Sequence, residues 1–100
     1  MKTYVTLVKF TTQGLKHINH MERAVAEETL AARKMGVKPI GSYATLGPYD
    51  LMLLYEAPDE RAAAAMSISF ATKWSGTTES WTLIPMEQFS EIAKTFRAES

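Results

Sequence analysis

Cysteine is absent from all 100 residues of the chain. That removes disulfides, thiolate nucleophiles and cysteine-bound metal clusters together, and it fits a reducing compartment. Net charge is absent as well, 11 basic residues balancing 11 acidic ones. A neutral chain has no long-range field to draw it onto a phosphate backbone, so no nucleic-acid partner is expected. No apolar run approaches the roughly 20 residues of a membrane-spanning helix. Met1-Lys2-Thr3-Tyr4 turns polar too soon for a signal peptide. No membrane partner and a soluble, cytoplasmic protein are therefore expected. A glycine-rich phosphate loop, a serine in a nucleophile elbow and a pair of carboxylates forced together by spacing are all missing, so the sequence carries no strong catalytic motif; no cofactor is expected.

What is present is ordinary globular sequence, 46% hydrophobic and 22% charged, of a length that makes one domain, residues 1–100, with a thin core. Its pivot is Gly47-Pro48-Tyr49-Asp50, which reads as a tight turn, and the run Leu51-Met52-Leu53-Leu54-Tyr55 after it. A strand between core and water alternates apolar and polar residues. Here Leu51, Leu53 and Tyr55 point one way and Met52 and Leu54 the other, and both sets are apolar. Helices cover one face; a second copy of the chain is the economical cover for the other.

Around this strand the remaining elements fall in order. Tyr4 to Phe10 is rich in β-branched and aromatic residues and reads as a strand. Thr11-Thr12-Gln13-Gly14 offers a hydroxyl cap to a helix from about Leu15 to Met35, with Leu15, Ile18, Met21, Val25, Thr29 and Ala32 on its apolar side. Gly36 stops it. Val37 to Leu46 is a second strand whose Pro39 argues for a sheet edge. Pro58-Asp59-Glu60 opens a second helix with an apolar stripe at Ala63, Met66, Phe70 and Trp74, and Gly76 ends it. Thr77 to Met86 is the fourth strand, closed by Pro85. Met86 to Phe96 is a terminal helix with Phe89, Ile92, Ala93 and Phe96 on one face, and residues 97–100 fray.

Strand, helix, strand, strand, helix, strand is the ferredoxin-like βαββαβ order, an α+β fold. Two right-handed crossovers give a four-stranded antiparallel sheet with both helices on one face and a short C-terminal helix. The other face is bare. Tyr4, Val8 and Phe10 or their neighbours, with half of the third strand, form an apolar patch that monomers rarely tolerate. A homodimer pairing sheet against sheet removes it, and a higher homo-oligomer is open too.

Gly47-x-Tyr49-Asp50-Leu51, the apolar strand and Glu56-Ala57-Pro58-Asp59-Glu60 before an alanine-rich helix together resemble the GYD domain family. Thr12-Gln13-Gly14-Leu15 opening a helix, and Gly41-x-Tyr43-x-Thr45-Leu46 leading into the turn, extend the likeness over roughly residues 3 to 92. The resemblance implies membership of the dimeric α+β barrel superfamily, and with it a face-to-face dimer, but no established activity. A similar turn occurs in the effector-binding domains of leucine-responsive regulators, which bind small molecules at oligomer interfaces; their DNA-binding helix-turn-helix is missing from this chain.

Three groups of residues are weighed for chemistry. His17 and His20, three apart on a helix, have the spacing of two metal ligands, with Glu22, Glu27 or Glu28 to add a carboxylate. A pair of surface histidines is the preferred reading, so no metal is expected, and His17 is the candidate catalytic base at a pocket mouth. Asp50 is expected to pin its turn by accepting backbone N–H groups, with Tyr49 packed over its end. The functional reading sets both at the rim of a ligand cavity. Tyr43 and Trp81 are the aromatic candidates for such a cavity, although aromatic side chains more often serve core or interface. The first reading is a homodimeric module that binds a small organic molecule or acts in a structural or regulatory role, without catalysis. The second is a small cofactor-independent enzyme, a monooxygenase, isomerase or decarboxylase-like protein, using an aromatic pocket with His17; the third is a pure assembly module.

Overall fold

The computed structural model describes residues 1–96; the fraying expected of residues 97–100 lies outside them. In chain order the elements are β1 (Lys2–Phe10), α1 (Thr12–Leu15), a 3-10 turn (Ile18–His20), α2 (Met21–Lys34), β2 (Lys38–Ala44), β3 (Leu51–Ala57), α3 (Glu60–Lys73), β4 (Gly76–Leu83) and α4 (Met86–Ala93). The four strands form one sheet in the order β2-β3-β1-β4, every neighbouring pair antiparallel. This is the α+β, ferredoxin-like arrangement that the element order predicts. The edge position argued from Pro39 is that of β2, which also carries an irregularity between Pro39 and Gly41.

Register decides which face is bare. Tyr4 lies opposite Tyr55, and Val8 opposite Leu51. All four join Ala63, Met66, Phe70 and Trp74 of the α3 segment and Ala32 of α2 in the core. The other face carries Val5 and Leu7 of β1 with Met52 and Leu54 of β3. On that side Val5 lies opposite Trp81 and Leu7 opposite Glu79 of β4, and Tyr43 of β2 lies opposite Met52. The strand with two apolar faces is thus buried on its Leu51, Leu53 and Tyr55 side and half-buried on the other.

Helix ends follow local chemistry. Gly36 takes a left-handed φ of 76°, and the amides of Gly36 and Val37 return to the carbonyls of Arg33 and Ala32, closing α2 in a Schellman motif. Asp59 caps α3 by accepting the Ala62 amide at 3.0 Å. At the far end of α3 the left-handed residue is Ser75, φ 48°, not the glycine that the sequence puts there; Gly76 already begins β4.

The long first helix expected from Leu15 to Met35 is broken into α1, the 3-10 turn and α2. The cause lies at the other end of the chain. Thr11 donates its amide and hydroxyl to the Ser75 carbonyl, at 3.1 and 2.6 Å, and accepts the Gly14 amide as cap of α1. Gly14 then lies so close to α3's end that a Cβ on it would sit 2.7 Å from the Trp74 and Ser75 carbonyl oxygens. The first turn is docked there, and the α2 ladder starts afresh at Met21.

The tight turn expected at Gly47–Asp50 is part of a six-residue connection, 45–50, between paired Ala44 and Leu51. The ends of β2 and β4 fall short of the expected Leu46 and Met86. Beyond Leu83, every described residue is exposed, α4 included. That helix stands clear of the body, and the molecule with it measures 56 Å along its longest axis, with a radius of gyration of 15.9 Å; a compact chain of this length has about 13 Å.

Candidate functional site

The open face of the sheet gathers most of the residues singled out in the sequence. Its floor is Val5, Leu7, Met52 and Leu54. Val5 and Leu7 are 5% and 7% exposed, closed over by their cross-strand neighbours. Its two edges are aromatic: Tyr43 on β2 is 53% exposed and Trp81 on β4 is 49% exposed. Tyr43 lies flat because Gly41 leaves it room; a Cβ there would be 2.9 Å from the ring.

The connection before β3 supplies Tyr49 and Asp50. Asp50 acts on the backbone. Its carboxylate accepts the Phe10 amide at 2.7 Å, its own amide reaches the Val8 carbonyl at 2.8 Å, and its carbonyl accepts the Thr45 amide at 3.0 Å. Lys9 adds a bond from its ammonium to the Pro48 carbonyl at 2.9 Å. Tyr49 reaches β4, where its hydroxyl donates to Glu79. The other carboxylate oxygen of Glu79 accepts the Trp81 indole N–H at 3.0 Å. Tyr49, Glu79 and Trp81 thus form one hydrogen-bonded unit.

That unit pushes proton affinities apart. The hydrogen bonds from Tyr49 and Trp81 hold the Glu79 carboxyl below its ordinary value, outweighing a small desolvation. The bond to Glu79, then desolvation and the negative charge of Glu79, push the Tyr49 hydroxyl above the usual tyrosine value. A general acid or base works best with a pKa near the working pH. Neither member of this pair is moved toward neutrality, so the unit suits recognition more than proton transfer.

The helix side of the sheet holds a second set of polar groups. The Thr6 hydroxyl, fully buried, bridges the Tyr55 hydroxyl and the Ser80 hydroxyl at 2.7 Å each. Burial pushes the Tyr55 hydroxyl up in pKa, against a downward pull from Thr6 and Ser80. Glu28 of α2, 4% exposed, accepts the Ser69 hydroxyl at 2.8 Å and lies 3.5 Å from the Lys73 ammonium. Pairing of this kind is what a buried charge needs. The cleft beside it, between α2 and the sheet, encloses about 30 Å³, room for a single water.

His17 and His20 line a different pocket, of about 270 Å³, with Phe10, Lys73 and Trp74. Their rings are 6.4 Å apart. Among the described residues no group of three or more histidine, cysteine, aspartate or glutamate side chains is placed to hold a metal ion. The structure therefore brings Tyr43, Tyr49 and Trp81 to one sheet face, puts Asp50 at its end on backbone duty, and sets the two histidines apart from all of them.

Glu79 is the residue that sequence reasoning passed over as a site member, and Glu28, weighed there only as a carboxylate beside the histidines, is instead buried with Ser69 and Lys73. Glu79 had a signal, since it shares a strand face with Trp81 two residues on. The burial of Glu28 had a signal as well: it falls seven residues after Met21, on the buried stripe of its helix.

The model of the GYD domain family matches residues 4–93. A relative from Thermus thermophilus, described as a glutamine synthetase and cystathionine beta-lyase binding protein, is 30% identical over 87 residues. The match covers 86% of this chain and 92% of that protein. No solved structure matches the chain significantly.

Proposed function

The chain belongs to the GYD domain family, and on that premise we propose that it is a homodimeric binding module that regulates metabolic enzymes by docking on them. The observation that carries the reading is the open face itself, where apolar and aromatic side chains surround a Tyr49–Glu79–Trp81 unit whose proton affinities are pushed apart. Such a face is built to be covered. Pairing two copies over it leaves the helix layers facing outward, and these carry Leu30 and Ile68, 64% and 65% exposed, as apolar contacts for a partner. The relative's description supplies the partner class: glutamine synthetase and cystathionine β-lyase. Both this partner class and the cysteine-free composition support a cytoplasmic location.

The test uses purified glutamine synthetase and cystathionine β-lyase in biolayer interferometry against the full chain. Binding to at least one is expected, weakened by Leu30→Asp or Ile68→Asp without change in the chain's own sedimentation. Binding to neither enzyme overturns the protein-partner reading.

A second reading is favoured by the histidine pocket. With two imidazoles, the Lys73 ammonium and the Phe10 and Trp74 rings around about 270 Å³, it suits a small organic acid with a flat apolar body. His17→Ala would abolish binding of such a ligand in calorimetry, and an unchanged affinity would remove this pocket, and the enzyme reading with it.

A further inference from the structure

We propose that α4 is an exchange arm that seats on a second copy of the chain. The inference rests on the homodimer reading above and adds the element that completes the interface.

Met86, Phe89, Ile92 and Phe96 recur at spacings of three and four, one stripe along the arm. They are 72%, 51%, 48% and 80% exposed, and none belongs to the core. The arm's cap residue, Pro85, makes no side-chain capping bond. A free helix of eight residues is well below the roughly 12–15 needed for even marginal stability in water. Its helicity therefore calls for a tertiary seat.

The described residues of its own chain offer none. Pro85 has φ −55° and ψ 143°, an extended step that carries the chain onward from β4. Gln88 of the arm's first turn borders an open pocket of about 250 Å³ with Lys2 and Leu83, and every described residue past Leu83 is exposed. The stripe must be covered by something outside the protomer.

The open face is the matching unpartnered surface, and area points to it. Four strands about 4.8 Å apart and about seven residues long make a face of about 20 by 23 Å. Its middle is already closed, since Val5 and Leu7 are almost fully buried. The face alone falls short of the ~800 Å² per partner that a standard specific interface buries. The four arm side chains add on the order of 400 Å², which brings the pairing to that size. A two-fold dimer also satisfies both faces at once, each arm meeting the half-exposed rim of the other copy's sheet at Tyr43 and Trp81. The family match runs to residue 93, so the arm is part of the domain and not an appendage to it.

The experiment combines sedimentation with hydrogen exchange on the full chain. Three proteins are compared: wild type, the arm variant Phe89→Asp/Ile92→Asp, and the face variant Met52→Asp, with circular dichroism confirming the fold. The arm variant alters only exposed side chains. A wild-type dimer is expected, with a dimer Kd raised on the order of 100-fold or more in the arm variant. Amides of residues 86–93 are expected to be protected in the dimer and to exchange fast in the face variant, whose arm is unaltered. A dimer whose arm amides exchange freely, and whose arm variant keeps the wild-type Kd, overturns the arm and leaves the dimer standing. A wild-type monomer overturns the dimer reading itself. Arm protection that arises only on adding a purified enzyme assigns the arm to that partner and overturns the exchange.

Discussion

The carboxylate of Asp50 accepts the backbone N–H of Phe10 at 2.7 Å, continuing the β3–β1 ladder past its last paired residues, Leu51 and Val8. One side chain thereby fixes where the connection from β2 ends and where β1 stops. A charge-assisted bond to a half-buried amide is worth more than a neutral one. Asp50→Ala is expected to cost about 1–3 kcal/mol in urea unfolding, and Asp50→Asn less. A cost equal to that of a surface substitution would show the contact to be incidental.

Glu79 gives a pH prediction. Its folded pKa is depressed by Tyr49 and Trp81, so the folded state favours the ionised form. The stability it contributes is complete above the unfolded glutamate value of about 4.3 and is lost as the pH falls through the lower folded value. Carbon-detected NMR titration should find Glu79 below that ordinary value, and Tyr49→Phe should raise it. Identical titration curves in the two proteins would remove the hydrogen bond as the cause.

Gly14 sets the distance between α1 and the end of α3. A methyl group there meets the Trp74 and Ser75 carbonyls at 2.7 Å, and backbone oxygens cannot swing aside as a side chain can. Gly14→Ala is expected to destabilise by about 1–3 kcal/mol. Thermal melting reads this as a fall of about 4–8 °C per kcal/mol for a domain of this size.

Ser75 offers the opposite sign. It holds φ 48°, a conformation that costs an ordinary L-residue roughly 1–2 kcal/mol. Ser75→Gly removes that cost and keeps the backbone carbonyl that Thr11 uses. A gain of about 0.5–1 kcal/mol is expected after the added freedom of the unfolded glycine. Ser75→Ala, with its Cβ retained, should show no such gain.

These residues also mark what the sequence can and cannot disclose. The stripe Ala63, Met66, Phe70 and Trp74 was readable from its spacing, and all four residues are buried. Gly36 and its left-handed stop were readable from one residue in context. The break after Leu15 was not, because its cause is a pair of carbonyls at Trp74 and Ser75, far along the chain. The burial of Glu28 depends on Ser69 and Lys73, and the role of Glu79 on Tyr49. Periodicity reports the face a residue shares with its neighbours in sequence. It is silent about the polar partner that fold topology delivers to that face. The candidate site was therefore half legible: its aromatic members were named, and the carboxylate that links two of them was not.

The place of β1 in the sheet has a kinetic consequence. It is the first of the four strands in chain order, yet it lies between β3 and β4, and its last neighbour ends at Leu83. Three strands can pair once Ala57 has been made, but the second edge of β1 stays open until Leu83 follows, and its closure joins segments far apart in sequence. Chains dominated by such non-local pairing fold in milliseconds to seconds, not microseconds. During that interval the edge of β1 that β4 will occupy presents unpaired backbone groups, a template for mispairing with another chain.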